Sequence, residues 1–305
     1  MRLILALTFA LAACGGGTRG TYLPPGGDTA DLATHIGNQG ADMAVNNNMG
    51  CAEAQGCYTV YAHADHILYR IDLTNKMLIE VGPFNAPMVP ISGGKMAEDS
   101  LTDLAVSTSN VIYVISKTNL YTADATDGHV TLAGAVTACG TDNVALTFTP
   151  DGKLYAADGK GAFCNVDLST QPPTVRQIGT LPNGWGISGD IVAVSDGTMF
   201  GTAYKVSDGN NAGTGLNNFL VKIDPANPTN TVMIGSTGFP KLFGVAFDNG
   251  QVFGFTHDAT GTVVTIDPKT GKGTLYNKFN DPMTNMAIGF AGAGVNANVM
   301  APPPG

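Results

Sequence analysis

The stretch "LYRID" at residues 68–72 decides the fold, because variants of it return four more times along the chain. They are "LYTAD" at 120–124, "FCNVD" at 163–167, "LVKID" at 220–224 and "VVTID" at 263–267. The final aspartates, 52, 43, 57 and 43 residues apart, are Asp72, Asp124, Asp167, Asp224 and Asp267. A unit of roughly 40–50 residues that recurs in this way is typical of repeat architectures.

Three further apolar segments accompany most copies of this word. Two come before it, the first containing an alanine, and they are joined by turns that carry Asn or Asp with Gly, a strong hairpin signal. The first segments are 102–106, 143–148, 190–194 and 243–247. A fourth segment follows a short polar turn, in which the aspartate is placed to accept a hydrogen bond from the backbone N–H two residues on. Four antiparallel strands per repeat predict an all-β fold made of β-propeller blades.

The ends of the repeat region indicate how the ring closes. Residues 57–84 supply only the second, third and fourth strands of a blade, and "TNMAIGF" at 284–290 is expected to supply the missing first strand. The sequence therefore predicts a five-bladed β-propeller of four-stranded antiparallel blades, closed by a C-terminal strand that completes the first blade. Six blades are the alternative and would need about 40 more residues of pattern. The two long spacings hold inserted loops at 85–100 and 206–217.

The phrase "TPDGKLYAAD" at 149–158 carries a family resemblance. It resembles blade sequences of the assemblage that includes the NHL, YVTN and SMP-30/gluconolactonase-like propellers, and the likeness covers residues 57–290 loosely. The resemblance implies that ligands bind on one face of the ring. That face carries the connections from each fourth strand to the next first strand and from each second strand to its third.

The opening "MRLILALTFALAACGGG" indicates export and lipidation. Arg2 precedes a short apolar stretch, and the segment Leu11-Ala12-Ala13-Cys14 resembles the bacterial lipoprotein signal, which implies a diacylglycerol on Cys14. An ordinary secretory signal with a chance cysteine is the alternative. We expect a protein lipid-anchored to the cell envelope, at the outer membrane because Gly15 rather than aspartate follows. The expected domains are a signal peptide (1–13), the lipidated Cys and a flexible tether (14–50), the propeller (51–291) and a disordered tail (292–305).

Charge and cysteines agree with export. The formal net charge is -9, which argues against binding nucleic acid and leaves the lipid anchor as the only expected membrane contact. The four other cysteines are Cys51, Cys57, Cys139 and Cys164. They can pair in three ways, of which Cys51–Cys57 and Cys139–Cys164 is expected because the first two are close in sequence. Metal binding by these thiols is the alternative.

Polar residues at the starts of the innermost strands are the first group of ligand-binding candidates. Ring closure would bring them together at the mouth of the central channel, where carboxylates and amides could hold Ca²⁺ or orient sugar hydroxyls. Alternatively, each caps its own strand or bonds a neighbouring blade. The candidates are Asp103, Asp142, Asn143, Asp190 and Asn285.

Histidines in two turns and a single tryptophan complete the candidates. "HADH" at 63–66 and "THD" at 256–258 lie in the first and last blades, which closure makes neighbours. Their side chains suit Zn²⁺ or general acid–base work, and solvated turn residues are the alternative. Trp185 could stack on a sugar or seal the gap between blades. The metal candidates are His63, Asp65, His66, His257 and Asp258.

The sequence contains no nucleophile elbow, phosphate-binding glycine loop or zinc-protease helix. This favours a non-enzymatic binding or scaffold propeller for a protein or glycan ligand. The alternative is a metal-dependent hydrolase or lactonase that uses the polar ring, with Ca²⁺ or Zn²⁺ as the cofactor.

Overall fold

The structure, a computed structural model, describes residues 58–208 and 216–299. Short apolar segments separated by Gly, Asn and Asp form strands joined by tight turns. In chain order the strands are β1 (Val60–Ala64), β2 (Ile67–Asp72), β3 (Met77–Pro83), β4 (Met88–Pro90), β5 (Met96–Glu98), β6 (Leu101–Val106), β7 (Ile112–Ser116), β8 (Asn119–Ala123), β9 (Val130–Ala135), β10 (Asn143–Phe148), β11 (Leu154–Asp158), β12 (Ala162–Asp167), β13 (Thr174–Thr180), β14 (Trp185–Ala193), β15 (Met199–Lys205), β16 (Asn217–Ile223), β17 (Val232–Pro240), β18 (Leu242–Asp248), β19 (Gln251–Thr256), β20 (Thr262–Ile266), β21 (Gly273–Lys278) and β22 (Gly292–Gly294).

The strands form five four-stranded antiparallel sheets, which are the blades of a propeller. Blade 1 has the order β22-β1-β2-β3, and blades 2 to 5 are β6–β9, β10–β13, β14–β17 and β18–β21. The described residues therefore confirm five blades, with the ring closed by a C-terminal strand in blade 1. Buried apolar side chains fill the spaces within and between the sheets.

The strand that closes the ring differs from the predicted one. The segment 284–290 is not the innermost strand of blade 1; β22 pairs with β1 instead, with Ala293 opposite Ala62. The reason is space, because a Cβ at Gly292 would lie 2.6 Å from Cα of Asp103. Apolar periodicity pointed to 284–290, whereas the crowded axis accepts a strand of small residues. Phe290 of the predicted segment packs edge-on against Phe255 in the core.

The ordered chain also continues beyond the predicted propeller boundary at 291. Residues 292–299, expected to belong to a disordered tail, are mostly buried. Asn296 donates to Asn110 Oδ1 of blade 2 over 2.7 Å, and the carbonyl of Val299 accepts from the N–H of Ser195 in blade 4 over 3.0 Å. After closing the ring, the chain therefore contacts the turns of two further blades.

The five repeated aspartates lie where the third strand of each blade ends. Four of them accept a hydrogen bond from the backbone N–H two residues on, as predicted, with distances from 2.8 to 3.0 Å. Asp72 accepts from the N–H of Asn75, three residues on, over 2.8 Å. We call the face that carries these turns the turn face, and the opposite face the loop face.

The inserted segment at 85–100, predicted as a loop, contains the small hairpin β4–β5. Nowhere in 58–208 or 216–299 does a helix have the length and apolar character needed to span a membrane. The signal peptide, the tether, Cys14, Cys51 and Cys57 lie outside the described residues.

We expect Gly292→Ala to destabilise the propeller because its Cβ would overlap Asp103 and lie 2.8 Å from Nε2 of His63. Overpacking of this kind costs about 1–3 kcal/mol, measured as a lower free energy of unfolding in urea. Met286→Ala, in the exposed part of the segment first predicted to close the ring, is the control and should leave the midpoint unchanged. Equal stability of Gly292→Ala and the wild type would contradict the assigned closure.

Candidate functional site

A cavity of about 470 Å³ opens on the loop face. Its walls come from the connections between blades and from the turns between second and third strands, so all five blades and the closing segment contribute residues. The lining residues are Asp65, His66, Glu98, Asp99, Ser100, Leu101, Thr102, Lys117, Asp142, Val144, Gly159, Ile187, Ser188, Gly189, Tyr204, Phe243, His257 and Ala291.

The charged side chains of the wall are held by specific contacts. Lys117 Nζ lies 3.0 Å from Asp142 Oδ1 in an ion pair. Asp99 Oδ2 accepts from the hydroxyl of Tyr121 over 2.6 Å, and Glu98 Oε1 accepts from the N–H of Ala86 over 3.0 Å. Glu98 and Asp99, at the end of the β4–β5 hairpin, are therefore oriented by Tyr121 of β8 and by the backbone before β4.

An aromatic pair forms another part of the wall. The rings of Phe243 and His257 are stacked, with centroids 4.9 Å apart and planes inclined by 12°. His257 Nδ1 lies 3.2 Å from the carbonyl oxygen of Phe290, which fixes the orientation of the imidazole. Both rings are half-buried and line the cavity.

Two buried carboxyl groups join the innermost strands near the channel axis. Asp103 in β6 and Asp190 in β14 are fully buried and interact with each other, and Oδ1 of Asp103 receives no hydrogen bond from any N–H or other donor of the described residues. Asp103 Oδ2 accepts from the N–H of Leu146 over 2.7 Å, while Asp190 accepts from the N–H groups of Ile191 and Val245. These bonds link blade 2 to blade 3 and blade 4 to blade 5.

Burial raises the pKa of both carboxyl groups above the ordinary value for aspartate. The negative charge of Asp190 also raises the pKa of Asp103. Two carboxyl groups that hydrogen-bond to each other need one proton between them. One proton on the pair therefore removes the repulsion between the two groups and provides a bond for Oδ1 of Asp103.

His63 is the third buried polar group of this region. Its ring packs edge-on against Phe84 with centroids 5.5 Å apart, and its Nδ1 lies 3.4 Å from the carbonyl oxygen of Asp65. Burial lowers the pKa of His63 to about 4, and the nearby His257 acts in the same direction. The imidazole is therefore neutral at physiological pH.

The predicted polar ring is only partly assembled at the cavity. Asp142 lines it, whereas Asp103, Asn143 and Asp190 are buried in contacts between strands. Asn143 donates to the carbonyl oxygen of Lys117 over 2.7 Å. Asn285 lies outside the lining, in an exposed turn where its Oδ1 accepts from Asn280 over 3.2 Å. These polar residues therefore serve mainly to hold strands and turns in place.

The histidines and aspartates predicted as metal ligands likewise do not all lie at the cavity. Asp65, His66 and His257 line the cavity, His63 is buried, and Asp258 accepts from Thr256 over 2.7 Å. Throughout the described parts of the chain, no three His, Cys, Asp or Glu side chains are grouped so that they could hold a metal ion. The geometry therefore gives no described ligand set for the expected Zn²⁺ or Ca²⁺.

Trp185 lies outside the cavity lining. It is 7% exposed, packs edge-on against Phe219 at 5.1 Å, and has Lys205 Nζ 4.3 Å from its ring centroid. It acts as a packing residue of blade 4. The Cys139–Cys164 disulfide is present, with Cα atoms 5.6 Å apart, and joins the turn before β10 to β12.

Sequence reasoning missed several lining residues, notably Phe243, Lys117 and the pair Glu98–Asp99. Phe243 stands at the strand start where other blades have polar residues, and this departure was a usable signal. Lys117 lies in a turn between second and third strands, on the loop face named by the resemblance. Glu98 and Asp99 end an inserted loop, whose fold the repeat pattern does not specify.

Comparisons with known proteins find distant likenesses to solved structures. No family model matches the chain, and no curated protein matches it. A structure described as "Structure of Dos1 propeller" is 15% identical with a TM-score of 0.41, covering 72% of this chain and 60% of that chain. A protein of unknown function from Bacteroides thetaiotaomicron is 13% identical with a TM-score of 0.47, covering 76% and 63%. One from Bacteroides caccae is 13% identical with a TM-score of 0.41, covering 77% of each chain.

The chain thus spans less than two thirds of the length of the first two of these structures. The number of blades in this protein rests on its own strand pairing.

We expect Asp103→Asn to be tolerated and Asp190→Asn to be destabilising. An amide at 103 can donate to Asp190 and accept from Leu146 without a shared proton. An amide at 190 has one acceptor oxygen for N–H groups that now bond to both carboxylate oxygens. A buried unsatisfied N–H costs about 1–3 kcal/mol, measured by urea unfolding.

The wild type and Asp103→Asn should also differ in how their free energy of unfolding depends on pH. Because the pKa of Asp103 is raised in the folded state, its stabilising contribution is full below the unfolded pKa of about 4 and is lost as pH rises through the folded pKa. The stability of Asp103→Asn relative to the wild type should therefore increase as pH rises from about 4. A difference that stays constant with pH would contradict the shared proton.

Proposed function

We propose that this chain is a lipid-anchored binding propeller of the cell envelope, whose protein or glycan ligand occupies the loop-face cavity. The observation that carries the proposal is the cavity itself. Concave sites with a few convergent polar groups and aromatic surface are the usual form of ligand sites in proteins. Here Tyr204 and the stacked Phe243–His257 pair lie beside charged groups that have fixed positions.

The rigid support around the cavity favours selective binding. Tyr204 donates through its hydroxyl to the carbonyl oxygen of Gly159 over 2.7 Å, and Asn143 holds the turn that carries Lys117. Side chains positioned before a ligand arrives lose less conformational entropy on binding. The Cys139–Cys164 disulfide further restrains blade 3, which contributes Asp142 and Gly159.

Two features support the placement in the envelope. The Leu11-to-Cys14 segment resembles the bacterial lipidation motif. A disulfide within the propeller suits an oxidising compartment outside the cytosol. The hydrolase alternative would need exposed metal ligands, whereas Asp103 and Asp190 are buried and bonded to backbone N–H groups.

We expect Ser100→Trp to block binding because Ser100 is exposed at the cavity wall and an indole there would fill the mouth. The probes are a glycan array and cross-linking to envelope extract from the producing cell, with wild type and variant tested in parallel. The signal should fall about tenfold or more.

Ser169→Trp is the matched control, since Ser169 is exposed in a turn on the turn face. It should bind as the wild type does. Binding that survives Ser100→Trp, or that both variants lose equally, would place the ligand elsewhere on the protein.

We expect Cys14→Ala to release the protein from membranes because the acyl acceptor is removed. Membrane flotation of cell extracts should find the wild type in the membrane layer and the variant in the soluble fraction, and mass spectrometry should show the diacylglycerol only on the wild type. Cys51→Ala removes another cysteine and should leave the flotation unchanged. An unmodified Cys14 in the mature wild type would overturn the anchor.

A further inference from the structure

The charge on the cavity wall is unbalanced. Four carboxylates line it, against a single lysine. That lysine, Lys117, is already in an ion pair with Asp142 at 3.0 Å. The remaining carboxylates have no cationic partner among the lining residues, and they are Asp65, Glu98 and Asp99.

Two of these carboxylates are held with one oxygen available. Asp99 uses Oδ2 to accept from both Tyr121 and Asn119, at 2.6 and 2.9 Å. Glu98 uses Oε1 to accept from the N–H of Ala86. The second oxygen of each has no hydrogen bond within the described residues. Each side chain is therefore an oriented acceptor with one oxygen left, and a donor with several N–H groups can bond to both carboxylates at once.

The aromatic wall supplies a flat surface in the same cavity. The stacked rings of Phe243 and His257 differ in inclination by only 12°. A guanidinium group is planar and weakly hydrated, and it stacks on aromatic faces while donating in its plane to carboxylates. A compact ammonium group has no flat face and uses this surface less well. A neutral sugar would also stack there, but it has no charge to match that of the wall.

Exposed methionines occur on the two loop-face connections that enter and leave blade 1. Met283 and Met286 precede β22, and Met88 and Met96 lie in the β4–β5 hairpin, with exposed fractions from 54% to 79%. Flexible thioether side chains adapt to the apolar surface of a protein partner, and methionine is enriched in protein interfaces. A small free cation would make no use of them.

Together these features point to one occupant. We propose that the cavity binds an arginine side chain of a protein partner, with the methionines of the two flanking loops contacting the partner around it. The proposal rests on the proposed binding function and names the chemistry of its ligand. The guanidinium would bond to the carboxylates of Glu98 and Asp99 and stack on the Phe243–His257 pair.

The test uses the mature full chain with methionines labelled at their ¹³C-methyl groups. The probes are peptides of sequence acetyl-Gly-Leu-Xaa-Leu-Gly-amide, in which Xaa is Arg, citrulline, Lys or Glu. Citrulline keeps the shape of arginine without its charge. The Arg peptide should shift the methyl resonances of Met88, Met96, Met283 and Met286 in a saturable way. The Lys peptide should bind more weakly, and the citrulline and Glu peptides should not bind.

Variants that neutralise carboxylates of the cavity wall test the role of its negative charge. Glu98→Gln with Asp99→Asn should weaken the Arg peptide about tenfold and reduce the salt dependence of its affinity. The amide oxygens can still accept from the N–H of Ala86 and from Tyr121 and Asn119, so the local structure should be retained. Asp196→Asn removes an exposed carboxylate in the β14–β15 turn, on the turn face, and should bind as the wild type does.

The outcomes separate this inference from the function on which it rests. Equal binding of the Arg and citrulline peptides, or no effect of the double variant, would overturn the arginine site. Binding of a glycan that Ser100→Trp abolishes, without binding of the Arg peptide, would overturn the inference and support the binding function. Failure of every peptide, glycan and extract probe would count against both.

Discussion

The ring depends on hydrogen bonds from the innermost strand of one blade to the side chains of the blade before it. Neighbouring innermost strands belong to different sheets, so their inward edges have no ladder partner, and a buried unpaired N–H is costly. Three side chains accept these N–H groups in sequence around the channel. The bonds are Leu146 to Asp103, Ala193 to Thr147 and Val245 to Asp190.

The two aspartates of this set add a link across the ring. Because Asp103 and Asp190 are fully buried, they cannot both be charged without a large loss of solvation, and a shared proton lets them bond to each other. This joins blade 2 to blade 4 as well as each to its neighbour. The same burial explains why the aspartates, first considered as ligands, are not available to a ligand in the cavity.

Closure between blades 5 and 1 is achieved by small residues. Gly244 stands in β18, and a Cβ there would lie 3.0 Å from Cβ of Ala293, so the closing strand approaches closely. The face that carries the repeated aspartates is occupied by regular turns, whereas the loop face carries the connections that differ between blades. A cavity therefore forms on the loop face, where the chain is free to vary without disturbing the repeat.

Strand periodicity and turn chemistry are local and repeat five times, so the architecture could be predicted from the amino-acid sequence. "LYRID" and its copies marked the third strand of every blade, and the aspartate turns follow from bonds within a few residues. Pairing of Cys139 with Cys164 was also expected. The closing strand was missed because Gly292–Gly294 lacks apolar periodicity, and its place depends on how little room the axis leaves. Only the tertiary structure decided that Asp103 and Asp190 are buried while Glu98, Asp99 and Phe243 line a cavity, since burial and convergence depend on contacts between blades distant in sequence.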